Sequence, residues 1–245
     1  MKAMLFAAGL GTRLKPLTDR MPKALVSVAG RTLLEHTLNK LQRVGVDEVV
    51  VNVHHFGEQI IDFIATHDFG MQVYVSDERD ALLDTGGGLR RAAHFFDKAN
   101  GPILLHNVDI LSNADLGAFY ESAKPFPITL LVSERVTSRY LLFDEDMNLK
   151  GWINVETGEV RTPYENLDIQ SLRKYAFSGI HAFSPLMFSR INSYPTKFPI
   201  IDFYLSECNQ IQIKGFLVDN LQLVDVGKYA TLQSAEQFAL NNGLL

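Results

Sequence analysis

The stretch AAGLGTRLKPLTDRMPKAL, residues 7–25, begins where an apolar segment at 2–8 ends. Its two closely spaced glycines allow the backbone to approach a ligand and to present N–H groups to an anion. Four cations lie within eleven residues of this stretch: Arg13, Lys15, Arg20 and Lys23. A strand followed by such a turn predicts a phosphate-binding loop in an α/β protein.

Two common phosphate-binding motifs do not fit this loop. The dinucleotide fingerprint needs a third glycine where Leu14 stands, and an acid after the second strand, where the chain reads Asn52-Val53-His54. The Gly-Lys-Ser/Thr ending of the Walker motif is also missing. We therefore disfavour an NAD oxidoreductase and expect a triphosphate ligand, with Lys15 and Arg20 individually interpreted as surface charges.

Composition narrows the class of protein. The 245 residues are 47% hydrophobic and 21% charged, which is typical of a folded globular chain, and the net charge of −5 disfavours a nucleic-acid partner. The single cysteine, Cys208, excludes an internal disulfide and a multi-cysteine zinc site. Since neither a signal peptide nor an apolar run long enough to span a membrane is visible, we expect a cytoplasmic protein without a membrane partner. Its oligomeric state is left open.

Periodicity changes along the chain. The first half alternates apolar runs with segments of helical spacing, which predicts parallel strands with helices on both faces. The second half is rich in strand-like runs separated by turns. Predicted strands are 2–8, 48–53, 71–77, 102–108, 128–134, 140–143, 149–153 and 175–183. Predicted helices are 31–44, 57–67, 86–97, 185–192, 200–209 and 228–241.

These elements predict a Rossmann-like, three-layer α/β/α fold with a mixed sheet. No repeat or low-complexity linker divides the chain. We expect a single domain over residues 1–245, with the phosphate-binding loop in a first half at about 1–110 and a second half at about 111–245.

Two aspartates stand at the ends of apolar runs. Asp109 follows 103–108, and Asp225 follows 221–224. Carboxylates at the carboxyl ends of strands lie where open α/β sheets bind ligands, and a pair of them suits Mg²⁺. Asp225 alone, just before Gly227, could instead be a turn acid.

The loop as a whole resembles the signature of the nucleotide-sugar pyrophosphorylases, the sugar-1-phosphate nucleotidyltransferases. The resemblance covers nearly the whole chain and implies a single nucleotidyltransferase domain over 1–245, whose half at about 1–110 binds the nucleotide and whose half at about 111–245 binds the sugar phosphate. It continues through Gly86-Gly87-Gly88, Asn107-Val108-Asp109, Phe177-Ser178-Gly179-Ile180 and Asp225-Val226-Gly227. In its short length and in the sequence Thr85-Gly86-Gly87-Gly88, the chain most resembles N-acetylmuramate-1-phosphate uridylyltransferases and small mannose-1-phosphate guanylyltransferases.

The resemblance implies a set of site residues. Asp109 and Asp225 would bind Mg²⁺, while Arg13 and Lys23 would act on the triphosphate and the departing pyrophosphate. Nucleotide-binding positions would be Ala7, Ala8, Gly9, Gly11, Thr12, Gly86 and Gly87. Sugar-binding positions would be Asn107, Gly151 and Gly179. Asp77 or Glu78 could accept a hydrogen bond from a ring N–H of uracil or guanine, although each could instead be a plain surface acid.

The acceptor side departs from the family pattern. Many members carry Glu-Lys-Pro shortly after the position of Gly151, with the lysine on the sugar phosphate, whereas this chain reads Trp152-Ile153-Asn154-Val155-Glu156. Another cation must then hold that phosphate, and Arg139 and Lys174 are candidates, although each could be a plain surface charge.

The implied reaction joins an NTP to a sugar 1-phosphate and releases pyrophosphate. UTP with N-acetylmuramate 1-phosphate is the favoured pair, and GTP with mannose 1-phosphate is the second. Two alternatives remain: transfer of CMP to a phosphocholine-type acceptor, and a regulatory module that binds a nucleotide sugar without turnover. Retention of Arg13, Lys23, Asp109 and Asp225 together disfavours the regulatory module.

Overall fold

A ten-stranded mixed sheet organises the chain, whose structure, a computed structural model, describes residues 1–243. The strands are β1 (Lys2–Phe6), β2 (Ser27–Val28), β3 (Arg31–Thr32), β4 (Glu48–Val53), β5 (Gln72–Asp77), β6 (Ile103–Asn107), β7 (Ile110–Ser112), β8 (Ile128–Ser133), β9 (Arg139–Phe143), β10 (Leu149–Asn154), β11 (Val160–Arg161), β12 (Arg173–Phe183), β13 (Ile213–Leu217) and β14 (Leu223–Asp225). Two short antiparallel pairs, β2 with β3 and β7 with β14, lie outside the main sheet.

Residues 1–243 contain seven α-helices, of which six pack on this sheet and the seventh packs against the two short strand pairs. The helices are α1 (Leu33–Arg43), α2 (Gly57–Thr66), α3 (Asp84–Arg91), α4 (Leu116–Ala123), α5 (Phe188–Ile191), α6 (Ile200–Glu207) and α7 (Leu232–Asn241). Within the described residues, none of them combines the length and the hydrophobicity that a membrane crossing requires.

The sheet changes character at β12. Strands β1, β4, β5 and β6 run parallel to one another, as the strand–helix alternation of the first half predicts. The long strand β12 then pairs antiparallel with β6, β8 and β9. Together with β10 and β11 these strands extend the sheet as a mostly antiparallel region. The predicted mixed sheet is confirmed.

The sheet separates two apolar cores, which gives the predicted three layers. Alternate residues of β1 face opposite sides, because successive side chains of a strand point to opposite faces. Met4 and Phe6 pack in the core beneath α3, α5 and α6. Ala3 and Leu5 pack in the other core, with α1, α2 and α4.

Three strands end at the same level of the sheet. Phe6, the last residue of β1, pairs with Asn52 of β4 and with Asn107 of β6. The loop that begins at Ala7 therefore starts beside Asn52, and Asp109 follows two residues after Asn107. This edge carries most of the residues that the sequence singles out.

Several elements escape the sequence analysis. Strands β7 and β11 are too short to show a period, and β13 is interrupted by Gly215. Helix α4 does carry a usable signal, since the Asp115 carboxylate accepts a hydrogen bond from the Ala118 N–H at 2.9 Å and caps the helix. Predicted strand 2–8 ends earlier, at Phe6, because the chain turns into the loop there.

Candidate active site

The start of the loop is held by a buried hydrogen-bond network. The Asn52 side-chain carbonyl accepts from the N–H groups of Ala7 at 2.7 Å and of Ala8 at 3.3 Å, and the Asn52 amide donates to Glu78 at 2.8 Å. Glu78 is fully buried, and burial raises the pKa of its carboxyl to about 7. A nucleotide contact of Ala7 or Ala8 stays a prediction, but it cannot use these two N–H groups.

The turn of the loop depends on Gly11. This residue has φ +63°, and a Cβ added to it would lie 2.8 Å from Cγ2 of Thr18. The Thr18 hydroxyl closes the turn by donating to the Gly11 carbonyl at 2.8 Å. Leu14, at the position of the missing third glycine, is fully buried in a small core with Val26. The loop is therefore anchored by an apolar side chain where a dinucleotide fold would need a glycine.

Four charged residues meet above the carboxyl edge of β6. The Lys23 ammonium forms an ion pair with Asp109, and the Lys23 residue is buried. Strand β14 pairs with β7 so that Asp225 lies opposite Ile110, and the N–H of Val226 donates to the Asp109 carbonyl at 2.9 Å. The short antiparallel pair thus brings two aspartates together that are distant in sequence.

Arg13 joins this cluster through Gly227. A Cβ added to Gly227 would lie 2.6 Å from Oδ1 of Asp225 and 3.0 Å from Nη2 of Arg13. The glycine therefore allows the aspartate and the guanidinium to approach the same backbone position. All four residues that the sequence analysis assigns to phosphate chemistry and metal binding lie in one cluster.

The electrostatics of the cluster centre on Asp225. Burial and then the negative charge of Asp109 raise the pKa of the Asp225 carboxyl, while the positive charges of Lys23, Arg13 and Arg135 act in the opposite direction. Two neighbouring carboxylates that repel one another favour an added cation. Among residues 1–243, no group of three or more His, Cys, Asp or Glu side chains is arranged for a metal, and the carboxylates at this point are a pair of aspartates. Such a pair fits Mg²⁺, which takes one or two carboxylates and completes its shell with phosphate oxygens and water.

A cavity of about 390 Å³ opens beside the cluster. Eight of the predicted site residues line it: Ala7, Gly9, Gly11, Thr12, Arg13, Lys23, Asn107 and Asp109. Leu10, Leu82, Asp84 and Thr85 also contribute to its wall. Its volume lies at the lower end of the range for small-molecule sites.

The glycines of α3 have a packing role. A Cβ on Gly86 would lie 2.2 Å from the Phe198 ring, and one on Gly87 would lie 2.3 Å from the Thr196 carbonyl oxygen. The absence of side chains thus lets the 196–198 segment approach the helix. A contact of Gly86 and Gly87 with nucleotide remains a prediction, while the neighbouring Asp84 lines the cavity and has the unusual φ of +61°.

Asn107 and Gly179 meet on the acceptor side. Gly179 has φ +71°, and a Cβ there would lie 2.8 Å from Nδ2 of Asn107. The pairing of β12 with β8 shifts register between Phe177 and His181, which brackets this glycine. Gly151 lies apart from this pair, in β10, where a Cβ would lie 2.8 Å from the Arg161 carbonyl oxygen of β11. The structure thus explains Gly151 by strand packing, and its sugar contact stays a prediction.

Comparison with known proteins identifies the family. A family model described as nucleotidyl transferase matches residues 2–242. This chain belongs to the nucleotidyl transferase family.

The relatives of this nucleotidyltransferase act on sugar 1-phosphates. It is 30% identical over 243 residues to the N-acetylmuramate alpha-1-phosphate uridylyltransferase of Neisseria meningitidis, covering 98% of both chains. It is 40% identical over 119 residues to the protein of the same name from Caulobacter vibrioides, a match that covers 47% of this chain and 48% of that one. Mannose-1-phosphate guanylyltransferase catalytic subunit beta of Dictyostelium discoideum is 26% identical over 263 residues, covering all of this chain and 70% of the relative. The chain is an enzyme of this class, a sugar-1-phosphate nucleotidyltransferase.

Solved structures show the same fold. HddC from Yersinia pseudotuberculosis aligns with a TM-score of 0.76 at 21% identity, over 96% of this nucleotidyltransferase and 98% of HddC. A UDP-glucose pyrophosphorylase complexed with UDP-glucose aligns with a TM-score of 0.78 at 14% identity, over 98% of both chains. The predicted nucleotide-diphospho-sugar transferase fold is confirmed.

The predicted base contacts of Asp77 and Glu78 in this nucleotidyltransferase need correction. Asp77 is engaged by the Arg79 guanidinium at 2.7 Å, and Glu78 is buried against Asn52, so neither acid lines the cavity. Asp84 is the acid that lines this part of the cavity wall. A positive φ at a non-glycine residue cannot be recognised from the sequence, so the periodicity gave no sign that Asp84 would face the cavity.

Proposed function

We propose that this enzyme joins UTP to N-acetylmuramate 1-phosphate and releases pyrophosphate, with Mg²⁺ as its cofactor. The observation that carries the proposal is the cluster of Lys23, Arg13 and Asp109 at the wall of the loop cavity, with Asp225 beside them. Opposite charges are gathered there at a carboxyl edge of the sheet, where a nucleotide triphosphate and a divalent cation would each find complementary groups.

The chemistry needs no nucleophile from the protein. A sugar 1-phosphate is largely dianionic at neutral pH, because its second pKa is about 6. One of its oxygens attacks the α-phosphorus of the NTP, and the bond from that phosphorus to the bridging oxygen of the β-phosphate breaks. The electron pair leaves with pyrophosphate, so negative charge grows on the departing group.

The cations of the loop address this growing charge. Lys23 is buried and paired with Asp109, so it is positioned before the reaction begins, and the exposed Arg13 guanidinium lies beside Gly227. Preorganised charges of this kind lower the barrier without reorganisation during the step. Arg13 and Lys23 would bind the triphosphate and stabilise the departing pyrophosphate.

Asp109 and Asp225 would hold the magnesium ion. When bound, Mg²⁺ neutralises phosphate charge and orients the phosphate oxygens. The aspartates also restrict where the ion sits, since the β7–β14 pairing fixes the backbone of one relative to the other. The ion pair of Lys23 with Asp109 orients that carboxylate from the loop side.

The cavity wall supports a base with a ring N–H. Asp84 lines the cavity, and a carboxylate only accepts hydrogen bonds. Uracil and guanine each carry a ring N–H donor from which such a carboxylate can accept a hydrogen bond. The similarity to the Neisseria uridylyltransferase over 98% of both chains supports the uridylyl reaction. GTP with mannose 1-phosphate is the second candidate, supported by the full-length match to the Dictyostelium guanylyltransferase subunit.

Pyrophosphate release tests the proposal. The four NTPs would each be combined with N-acetylmuramate 1-phosphate, mannose 1-phosphate, glucose 1-phosphate and phosphocholine, with Mg²⁺ present. We expect the highest kcat/KM for UTP with N-acetylmuramate 1-phosphate. The highest value for GTP with mannose 1-phosphate would favour the second candidate. Preference for CTP with phosphocholine, or binding of a nucleotide sugar without release from any pair, would contradict the proposal.

A further inference from the structure

This chain has no lysine at the position where the family resemblance would place the one that binds the acceptor phosphate. Trp152 and Ile153 occupy the region where the resemblance leads one to expect a Glu-Lys-Pro sequence. Arg139 begins β9 opposite Asn154, and Lys174 lies in β12 opposite Leu142, so both belong to the antiparallel extension. Both are exposed.

A third cation lies just beyond the end of β8. Arg135 is two residues after this strand, in the connection to β9, and its Nη2 donates to the Phe177 carbonyl at 3.3 Å. Phe177 is two residues before Gly179, which approaches Asn107. The hydrogen bond therefore ties Arg135 to the bulged part of β12 that faces the cavity edge.

Arg135 also lies beside the strand that carries Asp225. It lines a surface cavity of about 480 Å³. Ser133 of β8 also lines this cavity, together with Asp219 and Leu221 in the connection from β13 to β14. Arg135 also lines a neighbouring cavity with Leu223 and Val224 of β14, the strand that ends at Asp225. Cations thus come to this region from two parts of the chain: Lys23 and Arg13 from the loop, and Arg135 from the acceptor half.

This division suits a reaction between two phosphates. The attacking phosphate must come close to the α-phosphate, and the two anions repel each other unless a cation lies beside each. Lys23 and Arg13 line the nucleotide cavity, so they are available to the triphosphate. A guanidinium has five donors in a planar fork that matches phosphate, and one N–H on Phe177 leaves the others available.

We propose that Arg135 binds the 1-phosphate of the acceptor, in the role that a lysine fills in members with Glu-Lys-Pro. This inference rests on the proposed function, because it assumes that the acceptor is a sugar phosphate. Arg135 holds the phosphate by charge-assisted hydrogen bonds and orients one oxygen towards the α-phosphorus. Arg139 and Lys174 have no part in this contact.

Steady-state kinetics of the full chain test the assignment. Arg135→Ala should raise the KM for the sugar phosphate about 10- to 100-fold, the loss expected for hydrogen bonds to a charged group. The KM for the NTP should change far less, since the loop cations are intact. Arg135→Lys should recover part of the acceptor KM, because a lysine keeps the charge but not the fork. The matched controls, Arg139→Ala and Lys174→Ala, should keep the wild-type acceptor KM.

A second comparison separates phosphate from carboxylate recognition. N-acetylmuramate 1-phosphate carries a carboxylate besides its phosphate, whereas N-acetylglucosamine 1-phosphate carries the phosphate alone. Each compound is measured as a substrate. Where it gives no turnover, it is measured as an inhibitor of the enzyme that competes with the acceptor sugar phosphate. Equal weakening of both by Arg135→Ala supports the assignment. Weakening of N-acetylmuramate 1-phosphate alone would assign Arg135 to the carboxylate and overturn it.

Failure of this inference and failure of the proposed function give different results. An active wild type whose acceptor KM is unchanged by Arg135→Ala overturns the Arg135 assignment only. A wild type that releases no pyrophosphate from any pair of NTP and sugar phosphate overturns both. A raised KM for the sugar phosphate with an unchanged KM for the NTP also excludes a merely structural role, because misfolding would lower the active fraction without changing either KM.

Discussion

The two sides of the site place their cations differently. On the nucleotide side, Lys23 is buried against Asp109, while the exposed Arg13 lies beside Gly227 with Asp225. On the acceptor side, Arg135, Arg139 and Lys174 are all exposed. A buried, paired cation is fixed by its surroundings, whereas an exposed one can serve any anion within reach. Lys23 is therefore the cation with one defined geometry, and differences in acceptor should be sought on the side where every candidate cation is exposed.

The largest expected effect is on the nucleotide side. Lys23→Ala removes a positioned charge from the triphosphate and leaves Asp109 without its ion-pair partner. We expect turnover to fall by ~10²-fold or more, as for removal of one electrostatic stabiliser. Initial rates of pyrophosphate release measure the loss, and circular dichroism checks that the fold is kept.

Lys15→Ala is the matched control. Lys15 belongs to the same loop, but it is exposed and forms a surface ion pair with Asp19 at 3.0 Å. Its removal should leave turnover close to wild type, because exposed pairs contribute little. If both lysine variants lost activity equally, the distinction between buried and exposed loop cations would be wrong.

On the acceptor side, Gly179→Ala sharpens the comparison. The new Cβ would lie 2.8 Å from Nδ2 of Asn107 in a backbone with φ +71°. We expect a stability loss of roughly 1–2 kcal/mol from the left-handed conformation. Displacement of Asn107 should also raise the KM for the sugar phosphate by more than the KM for the NTP.

Gly158→Ala separates these two causes. Gly158 has φ +73°, but a Cβ there would meet no atom within 4 Å. It should lose a similar amount of stability in a thermal melt and keep the wild-type acceptor KM. An equal rise of KM in both variants would mean that backbone strain, not the contact with Asn107, is responsible.

A smaller effect concerns the network beneath the loop. Burial raises the pKa of Glu78 from 4.5 to about 7, so the folded state resists ionisation of this carboxyl. The cost is absent below pH 4.5, grows as the pH rises towards 7 and is complete above it, with an upper limit of about 3 kcal/mol. Glu78→Gln should therefore raise the melting temperature at pH 8 and change it little at pH 4.5.

The exposed Glu58 provides the control for this measurement. Glu58 pairs with Arg79 at 2.9 Å on the surface, and Glu58→Gln should show no comparable gain at high pH. A melting temperature of Glu78→Gln that tracks wild type at both pH values would contradict a raised pKa for Glu78.

The sequence predicts the nucleotide side better because short motifs define it. The loop between Ala7 and Leu25, and the aspartates at strand ends, depend on local order along the chain, and the structure brings Lys23, Arg13, Asp109 and Asp225 together as expected. The parallel strands are likewise visible as apolar runs. Local patterns of this kind can be recognised in the sequence without knowledge of contacts between distant residues.

The acceptor side depends on contacts between distant segments. Arg135 is linked to Phe177 across 42 residues, and no spacing in the sequence marks that pair. Asp84 reaches the cavity through an unusual backbone conformation, and Gly86 is explained by the distant Phe198 ring. These positions follow from tertiary packing, which the sequence does not show when it offers Arg139 and Lys174 as candidates for the acceptor phosphate.

The most direct test of the account is a Mg²⁺ titration of turnover in four proteins: wild type, Asp109→Asn, Asp225→Asn and the double variant. Each substitution keeps the side-chain shape but removes one charge from a site for a hard cation. We predict that each single variant loses at least ~10²-fold in kcat/KM with only partial rescue by added Mg²⁺, and that the double variant is little worse, because residues serving one ion act as a unit. Near-normal activity of Asp225→Asn beside an inactive Asp109→Asn would make Asp225 a turn acid and contradict the shared metal site.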